Sequence, residues 1–460
     1  MSAPLPDPRA IAKSSPLFLA LWTASAAASP ADTKPIANAD GKVQTYSTAG
    51  TVKRSNAFFK DLGSNGRSCA SCHQPGDGWS VTPASIQKRF KKTAGTDPIF
   101  RTNDGSNSPE AAVGSLDERA IAYRLLLKAG VFRVGLTIPA GAEFELLEAD
   151  DPYGFVSAGT ATPELSLFRR PLPAANLKFA SAVMWDGRES EAGGTIAEHL
   201  ARQATAATTG HAQGNSLAED QRHAIVDFET GLFTTQVFDR SAKSLTTSKV
   251  PGSPRKLAKR AFVIGENAPY QEGTANPGFD PRVFQLFDAW IGRGDPSGKD
   301  PKAAIARGQE IFNTRTFTIK GVAGLNDDPR FGSPPTLTAT CSTCHNTREV
   351  GSSSLPLYFN TGVSDGARRT RDVPLYTLRK KATGETLTTT DPGRAMITGF
   401  WKDVGRFKVP TLRGLAARPP YFHNGQATTL GDVVGFYNGR FGLDLNNREW
   451  RDLIAFLAAL

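Results

Sequence analysis

Sulfur and imidazole are scarce in this chain: 460 residues carry only four cysteines, three methionines and six histidines. Four cysteines are too few for a disulfide-stapled scaffold of this size, and few histidines and methionines leave a short set of candidate metal ligands. Long apolar runs are also lacking, and none approaches the roughly 20 residues of a membrane-crossing helix. The formal charge is +10, yet Lys and Arg are dispersed without a long basic run, so nothing specific points to nucleic acid. A 39% hydrophobic and 21% charged composition excludes extensive disorder, and no long internal repeat or low-complexity segment is visible.

What is present is concentrated. All four cysteines fall in two copies of one motif, Cys69-Ala70-Ser71-Cys72-His73 and Cys341-Ser342-Thr343-Cys344-His345, which leaves no thiol for a disulfide. C-x-x-C-H is the attachment signature of c-type haem: two thiols reach the porphyrin vinyls and the adjacent imidazole reaches the iron. A zinc site would need four soft ligands, which neither motif supplies alone. Two covalently bound haem c groups are therefore expected, with His73 and His345 as iron ligands.

The N-terminus places Arg9 and Lys13 before the apolar run Leu17 to Trp22 and small residues through Ala28, the layout of a secretory signal peptide over residues 1–28. Export agrees with haem attachment, which takes place outside the bacterial cytoplasm, and predicts a periplasmic protein with no stable membrane span after processing. Length predicts two haem-centred domains, 29–295 and 296–460.

Along the chain, Ser55 can cap a short helix carrying Phe58, Phe59 and Leu62, and Trp79 reads as haem packing or core. Ser115-Leu116-Asp117-Glu118 is a capping box opening a helix to Gly130. Val131 to Ile138 and Glu143 to Glu148, split by Pro139-Ala140-Gly141-Ala142, read as a β-hairpin inside an insertion at about 90–165. Thr195 to about Thr205 reads as a helix with His199 and Gln203 one turn apart, and Ser216 to Glu219 as a second capping box. Residues 240–280 have the composition of a surface connection. Asp300-Pro301 and Asn446 start two C-terminal helices, the last striped by Trp450, Leu453, Ile454 and Leu457. The expected fold is mostly α: two cytochrome c-like haem domains with a small β-hairpin insertion in the first.

The sixth ligand of each iron decides between electron transfer and peroxide chemistry. Beyond the two proximal histidines the chain offers His199, His211, His223, His423, Met184 and Met396; by spacing alone Met396 is a fair thioether ligand for the second iron. His199 and His223 read as ordinary helix histidines.

The order of motifs resembles the bacterial diheme cytochrome c peroxidases and the related MauG, which oxidises tryptophans of a partner protein. The motifs are the two C-x-x-C-H copies, Trp185-Asp186-Gly187-Arg188 between them, then Lys408-Val409-Pro410-Thr411-Leu412-Arg413 and Pro420-Tyr421-Phe422-His423-Asn424-Gly425. The resemblance implies that Trp185 lies between the haems and couples them. It also implies a sixth ligand fourteen residues past His423, at Tyr437, where peroxidases carry Met and MauG-like members carry Tyr, with Met396 as the competitor. At the N-terminal haem it implies a distal Gln at Gln203 and a proton-donating Glu ten residues on, where this chain has Gln213. Glutamine is no acid, so His211 takes the expected acid/base role, iron ligation being its alternative. The family's inter-domain calcium is in doubt, because Arg170 and Arg418 stand at its usual Asn and Thr; their guanidinium groups suit haem propionates instead. His423 is expected to support the haem crevice.

Together these readings give a periplasmic enzyme that reacts with hydrogen peroxide at the N-terminal haem and shares oxidising equivalents with the C-terminal haem through Trp185. Its partners would be a small cytochrome or cupredoxin donor, or a protein substrate. The alternatives are a donor-consuming peroxidase and a diheme electron carrier with no catalysis.

Overall fold

A computed structural model describes residues 31–460, apart from 157, 158, 160, 161, 191, 272, 273 and 296. The expected signal peptide lies outside the described residues. Helix accounts for 31% and strand for 18%, so the mostly α expectation gives way to a mixed α and β protein. None of the described helices is long and apolar enough to cross a membrane.

The extra strand arises from pairings between segments far apart in sequence. Strand β1 (Gly41–Ser47) is followed by β2 (Phe132–Thr137), β3 (Phe144–Asp150), β4 (Glu164–Arg169), β5 (Leu232–Asp239), β6 (Leu375–Lys380) and β7 (Thr386–Thr389). Antiparallel to β1 runs β5, from Gly41↔Asp239 to Ser47↔Leu232. The expected β2–β3 hairpin does not form. A tight turn closes from Ala142 N to Pro139 O, but Glu143 N then donates to Gly399 O (2.8 Å) and carries β3 away. In consequence β2 pairs with β4, and β3 pairs with β6, which also pairs with β7. Phe144, Leu146, Leu165, Leu167, Tyr376 and Leu378 form one buried core shared by these sheets. The Tyr376 hydroxyl joins them, donating to Ser166 O (2.8 Å) and accepting from Ser166 N (3.0 Å).

Helix starts follow local chemistry. The first helices are α1 (Pro83–Thr93), α2 (Leu116–Ala122) and α3 (Arg124–Ala129). Ser115 caps α2 as expected, but Tyr123 leaves helical geometry and splits the single helix in two. Thr195 and Glu198 form the capping box of α4 (Ile196–Gly210), which runs five residues beyond the expected end. The start of α5 (Glu219–Thr230) lies after Ala218, so Ser216 is not its cap. Likewise Asn56, rather than Ser55, caps the short turn at Phe58: its carboxamide oxygen is two residues away and accepts from Phe58 N (2.9 Å). Asp300 caps α6 (Pro301–Thr314) with proline at the first turn. Helix α7 (Leu430–Phe441) precedes α8 (Asn447–Ala458), capped by Asn446. The 240–280 connection carries short strand pairs and a one-turn helix at Pro254–Ala258.

Two aromatic cores flank the cysteine motifs. Phe58, Trp79, Phe228 and Leu232 pack beside Cys69; Phe284, Phe312, Leu453 and Phe456 pack beside Cys341. The second core depends on close approach of α6 and α8. A Cβ at Gly308 would stand 2.0 Å from Asp452 O. Replacing Gly308 with Ala should therefore lower unfolding free energy by about 2–3 kcal/mol, the cost of overpacking a close helix contact; chemical denaturation checks this.

Candidate functional site

Each C-x-x-C-H motif forms a single tight turn opening onto its own cavity. Cys69–Ser71 is a 3-10 turn, and Cys341–Cys344 is one turn of α-helix. The first cavity is about 1680 Å³ and the second about 1630 Å³, each counted to its open mouth. Both linings are predominantly apolar, as a porphyrin face requires. In each motif the histidine Nδ1 is tied to a backbone carbonyl six residues on: His73 to Trp79 O (2.9 Å) and His345 to Gly351 O (2.5 Å). A bonded Nδ1–H fixes the tautomer that leaves Nε2 free to ligate iron. Burial keeps both rings neutral, with His73 shifted down and His345 pushed down to about 4. Two thiols, a neutral imidazole of fixed tautomer and an apolar slot fit one haem c at each motif.

One face of α4 lines the first cavity. Leu200, Gln203, Ala204, Ala207, Thr208 and His211 recur at three- and four-residue steps, the spacing of one helical stripe. Because α4 continues to Gly210, Gln203 and His211 fall on the same face about two turns apart. Gln213 does not join them. It follows the helix end in left-handed backbone (φ +54), lines neither cavity, and accepts from Asn65 Nδ2 (3.2 Å) through its side-chain oxygen. The two-residue displacement from His211 to Gln213 crosses the helix terminus, which a fixed ten-residue offset cannot register. His199 is buried one turn before Gln203 but is not part of the cavity lining; His223 is exposed and pairs loosely with Glu219.

His211 is held by groups that sequence reasoning missed. Its Nδ1 meets Asp104 Oδ2, while the other oxygen of Asp104 pairs with Arg67 Nη1. Asp104 and Arg67 are 5% and 2% exposed, so this is a buried, fully engaged carboxylate. The pKa of Asp104 is held below its ordinary value; burial opposes this, but His211 and Arg67 outweigh it. The first cavity contains a second overlooked acid, Glu229. Its Oε2 is buried without a hydrogen-bond partner among the described residues, and burial pushes its carboxyl up to about 8. A signal for it was available: Glu229 lies four residues after Ile225 on the apolar face of α5.

Trp185 lines both cavities, in a wall shared with Arg170, Pro171, Leu172, Pro173, Lys408 and Val409. Its Nε1 donates to Arg170 O (2.8 Å), its carbonyl accepts from Lys408 N (2.9 Å), and its ring meets His423 edge-on at 6.3 Å. The next residue anchors this arrangement: buried Asp186 pairs with Arg169 and Arg188, and these cations pull its pKa to about 2 against burial. Gly187 (φ +74) is required, since a Cβ there would come within 2.0 Å of the Tyr358 hydroxyl. His423 stacks on Phe407 at 4.0 Å and is pushed down to about 4 by burial, so it packs as a neutral ring. Lys408, pulled down to about 8 by burial, has no carboxylate partner among the described residues.

Tyr437 lies in α7 and lines the second cavity, packed among Phe422, Phe436 and Phe441; burial raises its phenol well above the ordinary value. Met396 lines neither cavity. It is buried in the core between the β2–β4 and β3–β6 sheets.

Arg170 and Arg418 both gather backbone carbonyls. The Arg170 guanidinium donates to Ala129 O (2.9 Å), Val81 O (2.7 Å) and Arg418 O (3.2 Å). Arg418 in turn donates to Thr411 O and Arg413 O. The terminal nitrogens of Arg170 are thus spent on backbone carbonyls rather than held out for propionates. These residues do not fit a calcium ion, because a guanidinium already gathers the carbonyl oxygens and would repel a divalent cation. Excess EGTA should leave the melting temperature and absorption spectrum unchanged; a drop in either would show a tightly held metal.

No family model matches the chain. Among curated proteins it is similar to the cytochrome-c peroxidase IdrP1 of Pseudomonas sp. (strain SCT), at 34% identity over 26% of this chain and 36% of that protein. It is 31% identical to cytochrome c551 peroxidase of Pseudomonas aeruginosa over 26% of this chain and 30% of that one. It is also 31% identical to the methylamine utilization protein MauG of Paracoccus denitrificans, over 35% of this chain and 43% of that one. The chain thus spans less than half the length of the curated relatives it matches. A solved Kuenenia stuttgartiensis hydrazine synthase chain aligns over 83% of this chain and 93% of its own at 15% identity, with a TM-score of only 0.32. Over these parts of its length the chain is thus similar to bacterial cytochrome c peroxidases and to MauG.

Proposed function

We propose that the chain is a periplasmic diheme c-type oxidoreductase that reduces hydrogen peroxide in its first cavity and shares the oxidising equivalents across Trp185. The observation that carries this reading is the shared wall: one indole borders both motif cavities and is fixed at its Nε1 and its carbonyl. When bound, the haems would supply electrons to peroxide and hold the resulting oxidising equivalents.

The remaining work belongs to side chains. Reduction of H2O2 to two waters consumes two electrons and two protons. With Nδ1 committed to Asp104, His211 offers Nε2 as a base that takes a proton from one peroxide oxygen and returns it to the departing one. Gln203, eight residues earlier on the same helix face, supplies a carboxamide to orient the substrate. Glu229, neutral at physiological pH, stores a further proton beside Cys69. Trp185 is an oxidisable ring bordering both cavities, suited to relay a hole between them. Tyr437 is the protein's ligand at the second iron in this reading, favouring storage of oxidising equivalents over high-potential delivery. The electrons come from a small cytochrome, a cupredoxin or a protein substrate; the tyrosine favours MauG-like chemistry on a protein.

A Trp185→Phe variant should retain both haems but show inter-haem electron transfer at least about tenfold slower in rapid mixing with peroxide, because phenylalanine is far harder to oxidise. Unchanged kinetics would remove Trp185 from the relay.

A further inference from the structure

Asp104 lies in the segment between the first cysteine motif and α2, a stretch that sequence reading treats as an accessory insertion. It belongs to no motif, yet it is among the most buried acids of the first half of the chain, at 5% exposure. Both of its oxygens are committed, one to His211 Nδ1 and one to Arg67 Nη1. The surroundings are built to hold this geometry. Arg67 also donates to Pro98 O (2.8 Å), Ile99 O (2.6 Å) and His211 O (3.2 Å). Asn65 Nδ2 donates to His211 O (2.8 Å), and Asn103 Nδ2 to Gly210 O (3.1 Å). The C-terminal end of α4 is therefore clamped from both sides of Asp104, while the His211 ring remains 43% exposed toward the cavity.

We infer that Asp104 is the positioning residue of the distal site: it fixes the Nδ1–H tautomer of His211 and aims Nε2 into the first cavity. The inference rests on the reading of His211 as a base. A carboxylate that accepts from one imidazole nitrogen makes the other a defined proton acceptor and stabilises the imidazolium formed when it acts. Arg67 keeps Asp104 ionised, so the proton stays on the imidazole. The other charged or titratable groups bordering the cavity are His73, Glu229, Arg169, Arg170, Arg188 and Lys408. Of these His73 is close enough for His211 to lower its pKa. Arg169 and Arg188 are committed to Asp186, and Arg170 to carbonyls, so among the described residues Asp104 is the anion bonded to the distal imidazole.

The experiment compares the diheme wild-type protein with Asp104→Asn, His211→Gln and the double variant, following reaction with peroxide and binding of cyanide from pH 5 to 9. Cyanide enters as HCN and must lose its proton to a distal base, so it reads His211 without requiring peroxidase activity. In Asp104→Asn both rates should fall about 100-fold, the scale of one lost acid/base contribution. The loss should persist across the whole pH range, since the ring is no longer held in its productive tautomer. Adding Asp104→Asn to His211→Gln should cost nothing further, because the carboxylate acts through the ring. A purely structural Asp104 would instead lower haem content or melting temperature and add its loss to that of His211→Gln. That pattern, or unchanged rates, overturns the inference. If wild type ignores peroxide while cyanide binding still follows Asp104, the peroxidase reading fails and the positioning role stands.

Discussion

The wall between the two cavities depends on the pair of hydrogen bonds that pin Trp185, from its indole nitrogen to Arg170 O and from Lys408 N to its carbonyl. They place one aromatic ring in a wall common to two apolar cavities. The ion pairs of Asp186 with Arg169 and Arg188, and of Arg169 with Asp391, extend that anchorage to the C-terminal half of the chain. Such buried charges are costly unless fully paired. Here each carboxylate meets a guanidinium, and the result is register rather than raw stability.

The first cavity is asymmetric in a way that suits reactive chemistry. On one side an imidazole with its Nδ1 tied to a carbonyl is ready for metal ligation; on α4 a carboxamide and a second imidazole share a stripe. The Asp104–Arg67 pair behind that second imidazole gives it one defined tautomer. The second cavity also carries polar groups, among them His423, Lys408 and Arg418, but no counterpart of the Asp104–His211 pair; its Tyr437 is packed among phenylalanines. Two similar, mainly apolar pockets thus differ in that the first alone holds the carboxylate-backed imidazole His211. This is the physical basis for assigning substrate to the first and storage to the second.

Much of the site was legible because it is local. The C-x-x-C-H motifs, the Trp185 to Arg188 turn, and the caps at Ser115, Thr195, Asp300 and Asn446 depend on residues a few positions apart. What was not legible is non-local. The strands flanking Pro139 were recognisable, but the backbone bond from Glu143 to Gly399 that separates them joins residues 256 positions apart. Asp104 meets His211 across 107 positions. Met396, offered by spacing, and Tyr437, implied by the resemblance, lie apart: Met396 is buried in the core between two sheets, while Tyr437 lines the second cavity. Gln213 shows the opposite failure: an offset counted along the chain ran past the end of α4, where one residue changes the direction of a side chain.

The account depends on an oxidant reaching the first cavity while the second serves as reservoir. Its most direct test is the absorption spectrum of the fully ferric diheme protein before and after one equivalent of hydrogen peroxide. The account predicts a prompt Soret change distributed over both haems, abolished in His211→Gln. A spectrum indifferent to peroxide would contradict it and leave an electron carrier.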